Sequence, residues 1–308
     1  MGIFGPNIRK MTRGGDVEGL VALLEDKDPK NGAGAARALA QLVRDGESQA
    51  VVESGAVMPL FKGFLQCSAS WCCSSFLGTL RELAHSSQAR YLIPYSLEAL
   101  REGKPVDVLV PEIAIMESKA LLEAGVIPAF VEATRRALGD DDAQQSVANN
   151  LIHLVLNTDA RAMVRNGGLK QLVGALEDED PWVCWGAAIS LQEFVMEDAG
   201  AVVGFGAVPA LLTMMNRFEE DPVSAALQVF WRLAQKGKEQ ELREMGAFDE
   251  AKVRLEDEDA WVRMRALLVM GEIGGEDSLA AVKASIAREE EGDVRNLAIE
   301  TLEKFKDL

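Results

Sequence analysis

The chain has 308 residues, 48% of them hydrophobic, which is ample for a buried core. Its 49 acidic and 32 basic residues leave a formal net charge of −17. That balance argues against a DNA or RNA partner, which needs a basic face; it fits either plain solubility or a basic peptide or protein partner. Val and Ile recur at helical spacing and no period-two run ends in a hairpin turn, so the expected class is all-α.

Residues 1–15 hold Gly, Pro, Arg9, Lys10 and Arg13 with little periodicity and read as a frayed cap. Pro6 stands where an acylation signal at the start would need Ser or Thr. Helices follow at 16–25 and 30–44. The second opens on Asn31-Gly32-Ala33-Gly34, a stretch poor in helix propensity, and is expected to fray there. A second unit covers 48–85, and its last helix, 70–84, begins Trp71-Cys72-Cys73. The stretch 87–118 is irregular. A helix is expected over 88–101 despite Pro94, then a break at Glu102-Gly103-Lys104-Pro105, then an apolar helix over 106–118 containing Pro111. It reads as a degenerate two-helix unit; the alternative is an inserted loop covering part of a groove. Regular units resume at 119–157, 158–197, 198–236 and 237–273.

The unit at 159–196 shows the pattern most clearly. Helices are expected at 159–165, 169–177 and 180–196, broken by Asn166-Gly167-Gly168 and by the acidic run leading to Pro181. Gly supplies a positive φ that ends the first helix, and Pro suits the first turn of the third. The same glycine recurs at positions 15, 55, 125, 167, 206 and 246, at spacings of 40, 70, 42, 39 and 40. A period near 40 marks a helical solenoid. The third helices also align: Trp71, Trp182 and Trp261 open them, Ala36, Ala187 and Ala266 mark close approach, and Leu80, Leu191 and Met270 follow. Val183, Ala187 and Leu191, spaced four apart, form the stripe that such a helix buries.

The repeated Gly-[Gly/Ala]-[Leu/Ile/Val]-x-x-Leu opening of the second helix, with the Val, Ala, Leu stripe of the third, resembles armadillo repeats. Near the end, Asp259-Ala260-Trp261-Val262-Arg263 and Asp293-Val294-Arg295 resemble the short two-helix HEAT repeat, with 259–308 as a HEAT-like cap carrying Arg295, Glu300, Glu303, Lys304 and Lys306. The resemblance implies one domain over 1–308, a right-handed α-solenoid of about seven repeats whose third helices line a concave groove.

Signals for chemistry are sparse. His85 and His153 fall in different repeats, and no HExxH, GxSxG or Walker A pattern occurs, so no catalytic residue, cofactor or metal is expected. Glycines at 32, 34, 204 and 206 echo nucleotide fingerprints without the strand these need. Cys67, Cys72, Cys73 and Cys184 lack zinc spacing and read as small buried residues, reduced in a cytoplasmic protein. The clusters 177–180 and 256–259 sit before third helices, where acids favour the helix N-terminus, and read as caps rather than calcium loops. Residues 199–216 carry no charge but hold Gly200, Gly204, Gly206 and Pro209, so they are not read as a membrane span.

Armadillo proteins that carry peptides hold them with an Asn array and a Trp one turn earlier. The matching positions here are Gln41, Glu82, His153, Glu193, Arg232 and Glu272, and one turn earlier Arg37, Gly78, Asn149, Ile189, Gln228 and Leu268. The regular arrays are missing, which argues against nuclear-import-type carriage. A different set is visible. Trp71, Trp182 and Trp261 stand 11 residues before Glu82, Glu193 and Glu272, which brings each pair to within about 20° of one helix face. Trp185 lies on that face too; Trp231 lies off it and reads as core. The three opening tryptophans are either anchors for a partner or plugs against the preceding loop. The expected function is a non-enzymatic, monomeric scaffold or adaptor holding a protein or peptide along the third helices. Alternatives are a chaperone-associated regulatory factor that clasps a folded partner, as some armadillo proteins do with Hsp70-type partners, and a subunit related to HEAT-repeat pigment lyases.

Overall fold

The structure, a computed structural model, describes residues 6–104, 109–289 and 292–305. The expectations placed on residues 1–5, Pro105, Val106 and Lys306 lie outside the described residues. Packing divides the chain into two compact units, residues 1–136 and 137–308.

In the first unit, α1 (Ile8–Gly14), α2 (Val17–Leu24) and α3 (Pro29–Leu42) form one three-helix repeat. The expected frayed cap is therefore a helix: the Asn7 side chain caps it and it packs on α2 and α3. The fraying expected at Asn31 does not occur either. Asp28 caps α3 with Pro29 in its first turn, and Gly32 lets α2 lie close, since a Cβ there would stand 3.0 Å from the Leu24 carbonyl oxygen. A π-helical turn (Val43–Glu47) leads to α4 (Ser48–Glu53), α5 (Val57–Gln66) and α6 (Ser70–Ala84). The third helices α3 and α6 lie side by side, and Thr79 Oγ1 donates to the Ala36 carbonyl across them at 2.7 Å.

Beyond α6 comes a 3-10 turn (Ala89–Leu92), α7 (Ile93–Arg101), α8 (Val110–Glu123) and α9 (Val126–Arg136). Pro94 sits in the first turn of α7, so α7 starts later than 88–101 predicts. Likewise Pro111 opens α8, which runs past Ser118 to Glu123 with a kink at Glu117.

The second unit begins with α10 (Asp141–Leu156), followed by α11 (Ala160–Arg165), α12 (Gly168–Ala175), α13 (Pro181–Gly204), α14 (Ala207–Met215) and α15 (Asp221–Gln235). Then come α16 (Glu239–Glu244), α17 (Ala247–Val253), a 3-10 turn (Arg254–Glu256), α18 (Ala260–Ile273), α19 (Glu276–Arg288) and α20 (Asp293–Glu303). The third helix predicted over 180–196 continues through a kink at Asp198 into the first helix of the next repeat. The uncharged run 199–216 is split at Gly206, where α13 and α14 meet at 95°; no single described helix is long and apolar enough to cross a membrane. All six register glycines, at 15, 55, 125, 167, 206 and 246, have φ between 66° and 86°. That left-handed region is open to Gly and costs other residues, so the glycine spacing is a record of where the chain turns.

In this unit α10, α13, α15, α18 and α20 pack in succession. Gly186 makes one of these contacts possible: a Cβ there would lie 2.9 Å from the Ala148 Cβ of α10. Arginines at the ends of second helices tie each repeat to the one before. Arg217 donates to the Asp178 carbonyl, Arg254 to that of Met215 at 3.0 Å, and Arg288 to that of Leu255 at 2.7 Å.

The cysteines depart from expectation. Cys72 and Cys184 are free and buried, but Cys67 and Cys73 form a disulfide. The turn between α5 and α6 doubles back and sets their Cα atoms 5.5 Å apart, within bridging reach. A spacing wrong for zinc thus suits a local crosslink.

Candidate functional site: the third-helix face

The acidic runs act as caps. Asp180 Oδ1 accepts from the backbone N of Trp182 at 2.8 Å and of Val183 at 3.3 Å, and its Oδ2 accepts from Gln144 Nε2 at 2.8 Å. Asp259 caps α18 through Val262 N at 2.9 Å, and Asp178 and Asp257 support those caps through the backbone N of Asp180 and Asp259. The starts of α13 and α18 are thereby held, and with them Trp182 and Trp261.

Trp182 and Trp185 meet edge to face, with ring centroids 5.5 Å apart. Trp182 Nε1 donates to Asp141 Oδ1 of α10 at 3.3 Å. The two rings and Pro181 form one wall of a cavity of about 200 Å³; Glu219, Glu220, Asp221 and Pro222, at the start of α15, form the other. None of these three carboxylates is ion-paired among the described residues. Glu220, which lines this cavity, has φ 49° and is the single described non-glycine residue with a positive φ, at a cost on the order of 1–3 kcal/mol.

Trp71 and Trp261 are 47% and 64% exposed. Trp182 and Trp185 are half-buried. Glu193 is not beside them. It lines a separate cavity of about 400 Å³ with Thr158, Asp159, Phe194 and Glu197, beyond the end of α10. Eleven residues restore a helix face but also advance about 16 Å along the axis, so a shared face is not a shared pocket. Asn149 and His153 stand exposed on α10.

In the first unit Arg37, Gln41 and Glu82 come together, with help from residues that the sequence pattern does not single out. Arg37 Nη1 donates to Ser75 Oγ at 2.7 Å; Arg44 pairs with Glu82 at 2.7 Å and donates to Gln41 Oε1 at 3.0 Å. Arg37, Arg44, Ser75 and Glu82 line an open depression. The signal that could have found them is the spacing of Arg37 and Arg44, two turns apart on one face.

The far end of the second unit carries a longer polar ladder. Glu272 accepts from Lys304 Nζ at 2.9 Å and from Gln235 Nε2 at 3.4 Å. Arg232 donates to Gln235 Oε1 at 3.3 Å, and its guanidinium lies 4.7 Å from the centre of the Trp231 ring. The Gln228 amide is satisfied when its nitrogen donates to Gln192 Oε1 and its oxygen accepts from Arg265, Nε lying at 2.9 Å. Nothing in the repeat pattern marks Arg265 in advance. Trp231, expected as core, is half-buried, and its Nε1 is buried without an acceptor.

Comparison with known proteins agrees with this architecture. Residues 208–303 match a family model of HEAT repeats. The match reaches back from the expected cap to α14, across repeats built of three helices. No curated protein matches the chain in sequence. The crystal structure of an engineered protein aligns over 97% of this chain and 81% of its own, with a TM-score of 0.53 at 21% identity. A designed armadillo repeat protein in complex with peptide (KR)4 aligns over 84% of this chain and all of its own, with a TM-score of 0.41 at 16% identity. The HEAT match over its last third, the glycine register and the stacked third helices together give the chain an all-α helical-repeat fold, with residues 208–303 similar to HEAT repeats.

Proposed function

We propose that this protein is a non-catalytic scaffold that binds an extended peptide segment along the third helices of residues 137–308. The observation that carries the reading is the cavity walled by Trp182 and Trp185 on one side and Glu219, Glu220 and Asp221 on the other. Aromatic faces attract a cation by their quadrupole, at about 0.5–2 kcal/mol per contact. Three carboxylates without partners add Coulomb attraction of the same sense. A Lys or Arg side chain of the partner fits that chemistry, consistent with a chain of net charge −17. The further positions Asn149, His153, Glu193, Gln228, Arg232, Trp261 and Glu272 belong to the same proposal as secondary contacts, and Arg37, Gln41 and Glu82 to a corresponding site in the first unit.

Peptide-library selection on the wild-type chain and on a Trp182→Ala/Trp185→Ala chain tests this. The wild type should enrich sequences containing Lys or Arg, and the double variant should lose that enrichment. Because the two rings are half-buried and pair edge to face, the single Trp185→Ala change should cost about 1–2 kcal/mol of stability. A loss of about 3–5 kcal/mol in denaturant unfolding would instead identify a core residue. No enrichment by the wild-type chain would sink the reading.

A further inference from the structure

Several arginines on this chain have an acid beside them, and others reach a backbone carbonyl. Arg44 pairs with Glu82, Arg254 with Glu250 and Asp257, Arg263 with Glu289 and Arg288 with Glu256. Arg232 and Arg265, on the neighbouring helices α15 and α18, do not. Neither makes an ion pair among the described residues; Arg265 meets the neutral amide of Gln228, and Arg232 that of Gln235 and the Trp231 ring. The nearby acid, Glu272, is already held by Lys304 and Gln235. Arg232 Nε is buried with no acceptor at all. In a chain with 17 more acids than bases, leaving two adjacent guanidiniums without a carboxylate is a notable electrostatic cost. Burial, and then the charge of Arg232, hold the Arg265 pKa below the usual arginine range.

We propose that Arg232 and Arg265 form an oxyanion subsite that takes a side-chain carboxylate of the bound peptide. The proposal rests on the peptide-binding reading above and adds a second requirement of opposite sign to the basic one. A carboxylate has two acceptor oxygens and each guanidinium a planar fork of donors, so one group can accept from both arginines while relieving their mutual repulsion. Trp231 fixes the Arg232 plane from below, and the Gln192–Gln228 pair fixes Arg265, so the donors are ordered before the ligand arrives. Both side chains are half-buried, which leaves them reachable but partly dehydrated.

Calorimetric titration of the full chain with a short glutamate-rich peptide, its glutamine-substituted counterpart and inorganic phosphate tests the subsite. The glutamate peptide should bind the wild type roughly tenfold tighter than the glutamine peptide, despite the repulsive net charge. Arg232→Gln and Arg265→Gln should each remove that preference, with helical circular dichroism unchanged; should one variant misfold, the other carries the comparison. No preference in the wild type, a preference that survives both substitutions, or binding of phosphate without binding of the peptide would each overturn the proposal. The library selection on the tryptophan variant separates the two claims. Trp-dependent enrichment with no glutamate preference removes the oxyanion subsite and leaves the scaffold. Loss of the enrichment with an arginine-dependent glutamate preference removes the basic pocket and leaves the arginines as the anchor.

Discussion

At the scale of single residues, backbone conformation and burial make separable demands. Gly206 has φ 83°, and no heavy atom lies within 4 Å of where a Cβ would stand, so its role is conformational alone. Gly204, two residues earlier at the end of α13, has the same open surroundings without a positive φ. Gly206→Ala should therefore cost about 1–2 kcal/mol, whereas Gly204→Ala should be neutral or stabilising by up to about 1 kcal/mol. Denaturant unfolding of the pair decides, and equal effects would refute the assignment. Cys184 shows the other demand. Burial chiefly, helped by Asp178 and Asp180 and opposed by Arg217, pushes its thiol from 9.0 up to about 12. Well below pH 9 the thiol is protonated in both folded and unfolded chains and contributes no pH dependence. Above pH 9 the unfolded chain ionises first, so stability should fall as pH rises from 9 towards 12. A Cys184→Ala chain, compared across that range, should lack this component of the decline.

At the scale of elements, the Asp180 and Asp259 caps determine where α13 and α18 begin and hence where Trp182 and Trp261 stand. Asp180 satisfies two backbone N–H groups and meets the buried Gln144 amide. Asp180→Ala should cost about 1–3 kcal/mol, with Asp180→Asn recovering most of it because Asn caps as well as Asp. The same substitution should weaken selection at the Trp182–Trp185 cavity, since the first turn of α13 carries one wall. If stability drops while peptide selection is unchanged, the cap does not position that wall. The inter-repeat arginines at 217, 254 and 288 belong to this scale as well. They are written in the sequence at repeat-like intervals, yet they become meaningful only once the carbonyls they reach are known.

At the scale of the molecule, net charge dominates. With an excess of 17 negative charges, self-repulsion should oppose folding most strongly at low ionic strength. Raising salt from about 0.01 M to about 0.15 M shortens the screening length from about 30 Å to about 8 Å, and the thermal midpoint should rise. A falling midpoint would show that ion pairs such as Arg263–Glu289 outweigh the repulsion. The same salt change should weaken a basic peptide at the tryptophan cavity, which separates its electrostatic part from its aromatic part.

The repeat architecture was legible in the sequence because its signals are local. A glycine in the left-handed region, an Asp before a first turn and a stripe at every third or fourth residue each constrain only their near neighbours, so Gly167, Asp180 and Val183 could be read in place. The site was only partly legible. The pairing of Trp182 with Trp185 and their separation from Glu193 both follow from one helix, but which neighbouring side chains complete each pocket depends on how α10 and α15 lie against α13. The facing of Arg232 and Arg265, the carboxylates opposite the tryptophans, and the approach of Cys67 to Cys73 depend on lateral offsets between helices and on turn geometry. Those offsets are decided by close approaches such as that of Ala148 to the bare backbone of Gly186, a balance of packing over many residues that no single repeat encodes. The sequence by itself therefore determined the unit and its period, while only the tertiary structure decided which side chains of successive units share a pocket.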